Sequence, residues 1–277
     1  MESLRVIEQW PVPTAAAVVV RGRDGAVLGA HGPQQREFPL ASVTKLLSSY
    51  AALVAVEEGV FELDDPAGPP GSTVRHLLAH TSGLAFDEHR TMAAPGTRRL
   101  YSNAGFDVLA QTLEQASGIP FGQYAAEAVF QPLGMAATRI DPGHRAPAGA
   151  GGVSTAADLA RFAAELQAPR LLHPSTVEAA TRVVAWPGLS GVLPGFGHQR
   201  PNDWGLGFEL RGGKAPHWTG AASSPGTFGH FGQSGTFLWV DPVAGAACVC
   251  LTDRDFGPWA ADAWPPFTDA VLAELAD

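Results

Sequence analysis

Cysteine is nearly absent from the chain, with two residues of 277, Cys248 and Cys250. They stand two apart inside the apolar run Ala246–Leu251, where a period of two turns both side chains to one face of a strand. So low a count excludes a disulfide-stapled scaffold, and the pair reads as core packing. Lysine is equally scarce: Lys45 and Lys214 are the only two. No basic run occurs, and 18 Lys and Arg against 27 Asp and Glu leave a formal net charge of −9. Such a chain lacks the basic surface that binds nucleic acid by counterion release. Long hydrophobic runs are missing as well. Ala15–Val20 and Ala246–Leu251 fall far short of the ~20 residues that a membrane-spanning helix requires. The first residues are acidic and carry neither a basic segment nor a continuous apolar stretch, so no secretory signal is legible. The sequence predicts a cytoplasmic protein with no membrane partner.

What is present is 45% hydrophobic residues, enough for one large core or two adjoining ones, with 32 glycines and 23 prolines that mark a loop-rich globular chain. A short helix is expected first, then two strands, Ala15–Val20 and Ala26–Ala30, around the turn signal Asp24-Gly25. From Ser42 to Gly59 helical periodicity takes over, apolar on most sides, which predicts a central helix stopped by its glycine. Further helices are predicted at Val74–Ala79, Ala104–Ala116, Phe121–Val129 and Ala156–Leu166, the last opened by the capping-box pattern Thr155-Ala-Ala-Asp158. Strand patterns return at Gly205–Leu210, Thr227–Phe231, Thr236–Val240 and Ala246–Leu251. Phe267, Val271, Leu272 and Leu275 then predict a terminal amphipathic helix.

This order predicts an α/β (α+β) fold: a mixed antiparallel sheet flanked by N- and C-terminal helices, with an inserted all-helical domain. Residues 1–60 and 195–277 would form the sheet domain and 61–194 the insert. The active site would lie at the seam.

Ser42-Val-Thr-Lys45 opens the central helix, and a spacing of three sets a hydroxyl and an amine one turn apart on one face. A lysine against an apolar wall loses preference for its charged form and can take a proton from the serine near neutral pH. At a helix start the Ser42 N–H is also an unsatisfied donor at the positive end of the dipole, suited to an oxyanion. With so few lysines, chance supplies only about 0.1 such matches. Tyr101-Ser-Asn103 offers a phenol that could relay a proton and an amide that could orient a lysine or a carbonyl. Taken alone, Asn103 could equally be a helix cap and Tyr101 a core residue. Gly229-His-Phe-Gly-Gln-Ser-Gly-Thr236 offers a strand whose glycines let a backbone N–H approach a ligand. His76 and His80 have the spacing of a zinc helix but lack its glutamate and read as structural, and Ser234 is a weaker rival to Ser42.

The three motifs, in this order, resemble the serine β-lactamase, penicillin-binding protein and class C-like esterase superfamily. Ser42-Val-Thr-Lys45 is similar to its Ser-x-x-Lys box, Tyr101-Ser-Asn103 to its Tyr-x-Asn box, and His230-Phe-Gly232 to the His-x-Gly form of its Lys-Thr-Gly box. The phrases Thr73–Leu84 and Gly151–Phe162 look like signatures of the class C-like branch. The resemblance implies an acyl-enzyme mechanism with no metal and no cofactor. Ser42 would be the nucleophile, Lys45 its proton acceptor and Tyr101 the partner acid/base. Asn103, His230 and Gly232 would bind and orient substrate, and the N–H groups of Ser42 and Gln233 would form the oxyanion hole. The substrate would be a small-molecule ester, amide or lactam. His230 replaces a permanent cation, so the sequence favours an esterase. The alternatives are a β-lactamase or D-alanyl-D-alanine carboxypeptidase, and a catalytically quiet ligand-binding homologue.

Overall fold

Three alanines followed by three valines make the strand Ala15–Arg21 (β1) apolar on both faces, and all but its two end residues are buried. A strand of that composition belongs in the middle of a sheet. The computed structural model describes residues 1–22 and 24–276, so the predicted turn around Asp24-Gly25 is described on either side of Arg23 only. Five further strands join β1: Val27–His31 (β2), Glu209–Leu210 (β3), Phe228–Gly232 (β4), Thr236–Asp241 (β5) and Ala246–Thr252 (β6). The sheet order is β2-β1-β6-β5-β4-β3, every pair antiparallel. β1 runs against β6 along its whole length, from Ala15 opposite Thr252 to Arg21 opposite Ala246, so the sheet is built from both ends of the chain.

Four long helices accompany the sheet: Thr44–Glu57 (α1), Asn103–Ser117 (α2), Ala156–Gln167 (α3) and Pro258–Ala276 (α4). Period-two alternation divides the sheet's side chains between two cores. Val18, Val20, Leu238, Val240, Val249 and Leu251 face α1 and α3. Val19, Phe237, Trp239, Cys248 and Cys250 face Trp264, Phe267 and Val271 of α4 and Leu4 and Ile7 of the opening 3-10 helix, Glu2–Gln9. Both cysteines are buried and free on that face. Helix and opening segment are tied by Glu274, which accepts from the Glu2 and Ser3 N–H groups at 2.8 and 2.9 Å.

α1 is buried from Thr44 to Ala55, as its all-round apolar sequence requires. It ends ahead of Gly59, whose φ of 73° is the left-handed stop favoured by glycine. Helices predominate between residues 61 and 194, interleaved with short strands at Arg139–Ile140, Gly152–Ser154 and Gly191–Leu193. Gly152–Ser154 pairs with Phe38–Pro39 just ahead of Ser42. At the start of α3 half of the expected capping box forms. Thr155 Oγ1 accepts from Asp158 N–H at 3.1 Å, while the Asp158 carboxylate turns away to Ala137 N–H and the Thr138 hydroxyl. The predicted strand Gly205–Leu210 shortens to β3. Gly207 has φ 87° and lies so close to α1 that a Cβ there would sit 1.8 Å from Ser49 Oγ, which makes this a turn packed on the helix. Among the described residues, no helix is long and apolar enough to cross a membrane.

Phe237 is fully buried among Trp218, Trp264 and Phe267, on the face of the sheet opposite α1. Phe237→Ala should therefore cost about 3–5 kcal/mol of stability. The check is the urea midpoint, expected to fall at an unchanged slope.

Candidate active site

Ser42 sits in a 3-10 turn, Ala41–Val43, that leads into α1. Ala41 holds a φ of 45°, a left-handed conformation that costs a non-glycine residue about 1–3 kcal/mol and recurs at functional sites. Thr44 pins the turn, its hydroxyl donating to Ala41 O at 2.6 Å and accepting from Gly152 N–H at 2.8 Å. One turn on, Lys45 is wholly buried. Its Nζ donates to Asn103 Oδ1 at 2.6 Å and to Gly149 O at 2.7 Å, and lies 3.4 Å from Ser42 Oγ. The rings of Tyr101 and Phe106 approach the amine at 4.6 and 5.4 Å. Burial lowers the Lys45 pKa from its ordinary 10.5 to about 7, against the opposing pull of Asp107 and Asp87.

Tyr101 and Asn103 are delivered by the start of α2. Ser102, rather than Asn103, is the cap: its hydroxyl accepts from Gly105 N–H at 2.9 Å and donates to Ala85 O at 2.6 Å. Asn103 is thereby free to bridge, taking Lys45 on its carbonyl and donating from Nδ2 to Asp87 Oδ1 at 2.8 Å. Asp87 is itself paired with Arg145. The Tyr101 hydroxyl is buried with no hydrogen-bond partner among the described residues. Burial raises its pKa above the ordinary phenol value, with the nearby Ser42 hydroxyl pulling the other way, so it holds its proton at neutral pH.

β4 and the turn after it supply the opposite wall. His230 Nδ1 donates to Phe231 O at 2.5 Å, and its buried Nε2 has no partner among the described residues. Burial, then the charge of Lys45, lowers the His230 pKa to about 3, which leaves a neutral ring. A Cβ on Gly232 would meet Leu40 O at 2.3 Å, so only glycine lets β4 lie this close to the serine turn. Thr236 Oγ1 reinforces the approach by donating to the same Leu40 oxygen at 2.9 Å. Ser234 is tied to Pro39 O at 2.7 Å.

Ser42, Tyr101, His230 and Gln233 line a common chamber of about 90 Å3, with Lys45 and Asn103 behind it and Gly232 against the serine turn. Trp204, Phe86 and Glu209 also line the chamber, with Val192, Leu193 and Pro194, and carry no motif in the sequence. Burial favours the neutral acid at Glu209, yet Lys214 and His217 outweigh it and hold its carboxyl well below the usual range. Lys214 Nζ lies 3.0 Å and Trp218 Nε1 2.8 Å from that carboxylate. The visible signal was one of only two lysines standing five residues after a glutamate in a strand. His76 and His80 serve the backbone, accepting from Thr73 and Ser102 N–H groups at 3.2 and 3.1 Å.

The chain that builds this chamber matches known proteins along nearly its whole length. The Beta-lactamase family model fits residues 5–273. The chain belongs to the Beta-lactamase family. A beta-lactamase from Mycobacterium bovis, known from its crystal structure, is 60% identical and superposes with a TM-score of 0.96 over 99% of both chains. Esterase EstB of Burkholderia gladioli is 26% identical over 93% of this chain and 90% of its own. The D-alanyl-D-alanine-carboxypeptidase/endopeptidase AmpH of Escherichia coli K12 is 32% identical over 37% of this chain and 36% of its own, so the chain spans little more than a third of that relative's length. Names within this Beta-lactamase family thus cover esters, lactams and peptides. Among the described residues of this family member, no three His, Cys, Asp or Glu side chains converge in a way that would hold a metal ion.

Gly232→Ala should push β4 away from the serine turn. A displacement near 1 Å lowers turnover about 10²-fold, and steady-state kinetics on a short ester with near-ultraviolet circular dichroism in parallel would read it.

Proposed function

We propose that the chain is a serine hydrolase that cleaves small carboxylic esters through an acyl intermediate on Ser42. The observation that carries this reading is the buried Lys45 amine, its pKa brought to about 7, lying 3.4 Å from Ser42 Oγ. A neutral amine has two N–H donors and one lone pair. Asn103 Oδ1 and Gly149 O take the two donors, which leaves the lone pair for the Ser42 hydroxyl.

In the first half-reaction Ser42 Oγ attacks the carbonyl carbon, its proton passes to Lys45 Nζ, and the carbonyl pair moves onto oxygen. The N–H groups of Ser42 and Gln233 are the proposed donors to that oxyanion; both residues line the chamber. Collapse expels the alcohol oxygen, which takes the Tyr101 proton. The Lys45 ammonium then gives up its proton to restore the phenol. Water then attacks the acyl-serine by the same proton path in reverse and releases the acid. His230 and Gly232 shape the β4 wall against which substrate lies.

The charge of the chamber supports an ester over a carboxylate-bearing lactam or peptide. The His230 ring is neutral and Glu209 is an anion in the wall, while Lys214 is committed to Glu209. Among the described residues that line the chamber, none is a cation.

Three outcomes are expected. Ser42→Ala abolishes release of p-nitrophenol from a short-chain ester and removes the acyl adduct from the intact mass spectrum; full retained activity overturns the reading. Because Lys45 must be unprotonated to act, kcat/KM should rise about tenfold per pH unit below about 7 and level off above it, a profile read on that ester. A cephalosporin turned over faster than simple esters would reverse the substrate preference.

A further inference from the structure

Large apolar side chains that remain exposed are few among the described residues, and three of them, Phe86, Met92 and Val192, stand 51–60% exposed around one cleft beside Ser42. Exposed apolar surface gathered in a concavity marks a binding site more often than scattered exposure does. The cleft measures about 420 Å3, and Leu84, Leu100 and Pro194 join the three in its lining. It shares Phe86, Tyr101, Val192 and Pro194 with the chamber at Ser42, so the two spaces adjoin along one wall. Three arginines stand in its lining; among the described residues Arg98 is exposed and makes no ion pair, while the other two are engaged. The Arg99 guanidinium is spent on the carbonyls of Ala79, Ala185, Trp186 and Asn202, and Arg90 pairs with Glu88 at the rim.

The two spaces differ in size and in what they touch. The chamber, at about 90 Å3, is several times smaller than the cleft at about 420 Å3, so the smaller side of an ester belongs in the chamber. Ser42 and Gln233, the proposed oxyanion donors, line the chamber and not the cleft. Tyr101, the proposed acid for the leaving oxygen, lines both. Its ring stacks on Phe86 at 5.9 Å between centroids, and the Phe86 carbonyl accepts from Asn103 N–H at 2.7 Å, so the cleft wall is anchored to the catalytic helix start.

We infer that this cleft is the leaving-group site, and that the enzyme takes esters of short acids with bulky apolar alcohols. The inference rests on the ester-hydrolase reading and adds to it the side of the ester that carries the selectivity. A carbonyl held by Ser42 and Gln233 places the small acyl group in the chamber. The alcohol oxygen meets Tyr101 and its apolar remainder crosses into the cleft, where it covers Phe86, Met92 and Val192.

The test compares two series on the purified enzyme. In one, acetates of methanol, butanol and hexanol keep the leaving-group chemistry nearly constant while the alcohol grows; in the other, methyl esters carry acids of the same lengths. Hexyl acetate should exceed methyl acetate in kcat/KM by at least tenfold, and lengthening the acid should lower it. Ala85→Phe, which fills the cleft, and Met92→Asp, which charges it, should each cut the hexyl-to-methyl ratio at least fivefold. A ratio near one, or substitutions that shift preference along the acid series instead, would overturn the inference. Calorimetric titration of Ser42→Ala with 1-naphthol separates the two claims. If no ester is turned over by the parent enzyme yet naphthol binds and Met92→Asp weakens it tenfold, the apolar site stands and the ester reading falls. Naphthol binding untouched by either substitution removes the site.

Discussion

Everything at the centre of this molecule depends on keeping water away from one amine. At its ordinary pKa Lys45 could not be the base that the proposed mechanism requires, and what changes it is dehydration by α1, by the short helix that holds Gly149 and by the rings of Tyr101 and Phe106. The two acceptors that hold it, Asn103 Oδ1 and Gly149 O, are neutral. A carboxylate in either place would have stabilised the ammonium and undone the effect. Asp87 and Asp107 lie one shell further out, where their charges temper the shift without cancelling it.

The same dehydration sets the character of the surrounding groups. Burial first, and the charge of Lys45 second, lowers the His230 pKa to about 3 and pushes His80 well below its usual range, so both rings stay neutral. Neutrality then shapes recognition: the walls around the serine offer rings, backbone N–H groups and one committed anion rather than a cation for an acid. The anion of the chamber wall is Glu209, which Lys214, His217 and Trp218 satisfy from three directions.

Much of this was legible in the sequence because it rests on spacing. Ser42 and Lys45 are three apart, and any helical turn brings them together; Cys248 and Cys250 are two apart, and any strand turns them to one face. The long apolar helix and the late strands followed from periodicity in the same way. Features that depend on a partner far along the chain stayed hidden. Ser102 and Asn103 are both good caps, and only the position of Lys45 and Asp87 makes Ser102 the cap and Asn103 the bridge. Glu209 sits in an apolar run with no motif, and β3 stops short because Gly207 meets Ser49 on α1, a contact absent from local sequence. Asp87 and Phe86 lie in a loop whose composition announces only a loop.

The pairing of β1 with β6 joins residues near the start of the chain to residues near its end, and the serine turn leans on β4 through Gly232 and Thr236. During synthesis, Ser42 and Lys45 emerge well before β4 and the turn after it, which carry His230 and Gln233. A chain still being made therefore holds a hydroxyl and an amine but not the second wall of the chamber. The apolar valines of β1 must also wait for their partner, which makes this a slow, long-range fold with an exposed strand in its early stages. The cost of that delay falls on folding, and its consequence for the proposed hydrolase is that the chamber is complete only with the finished sheet.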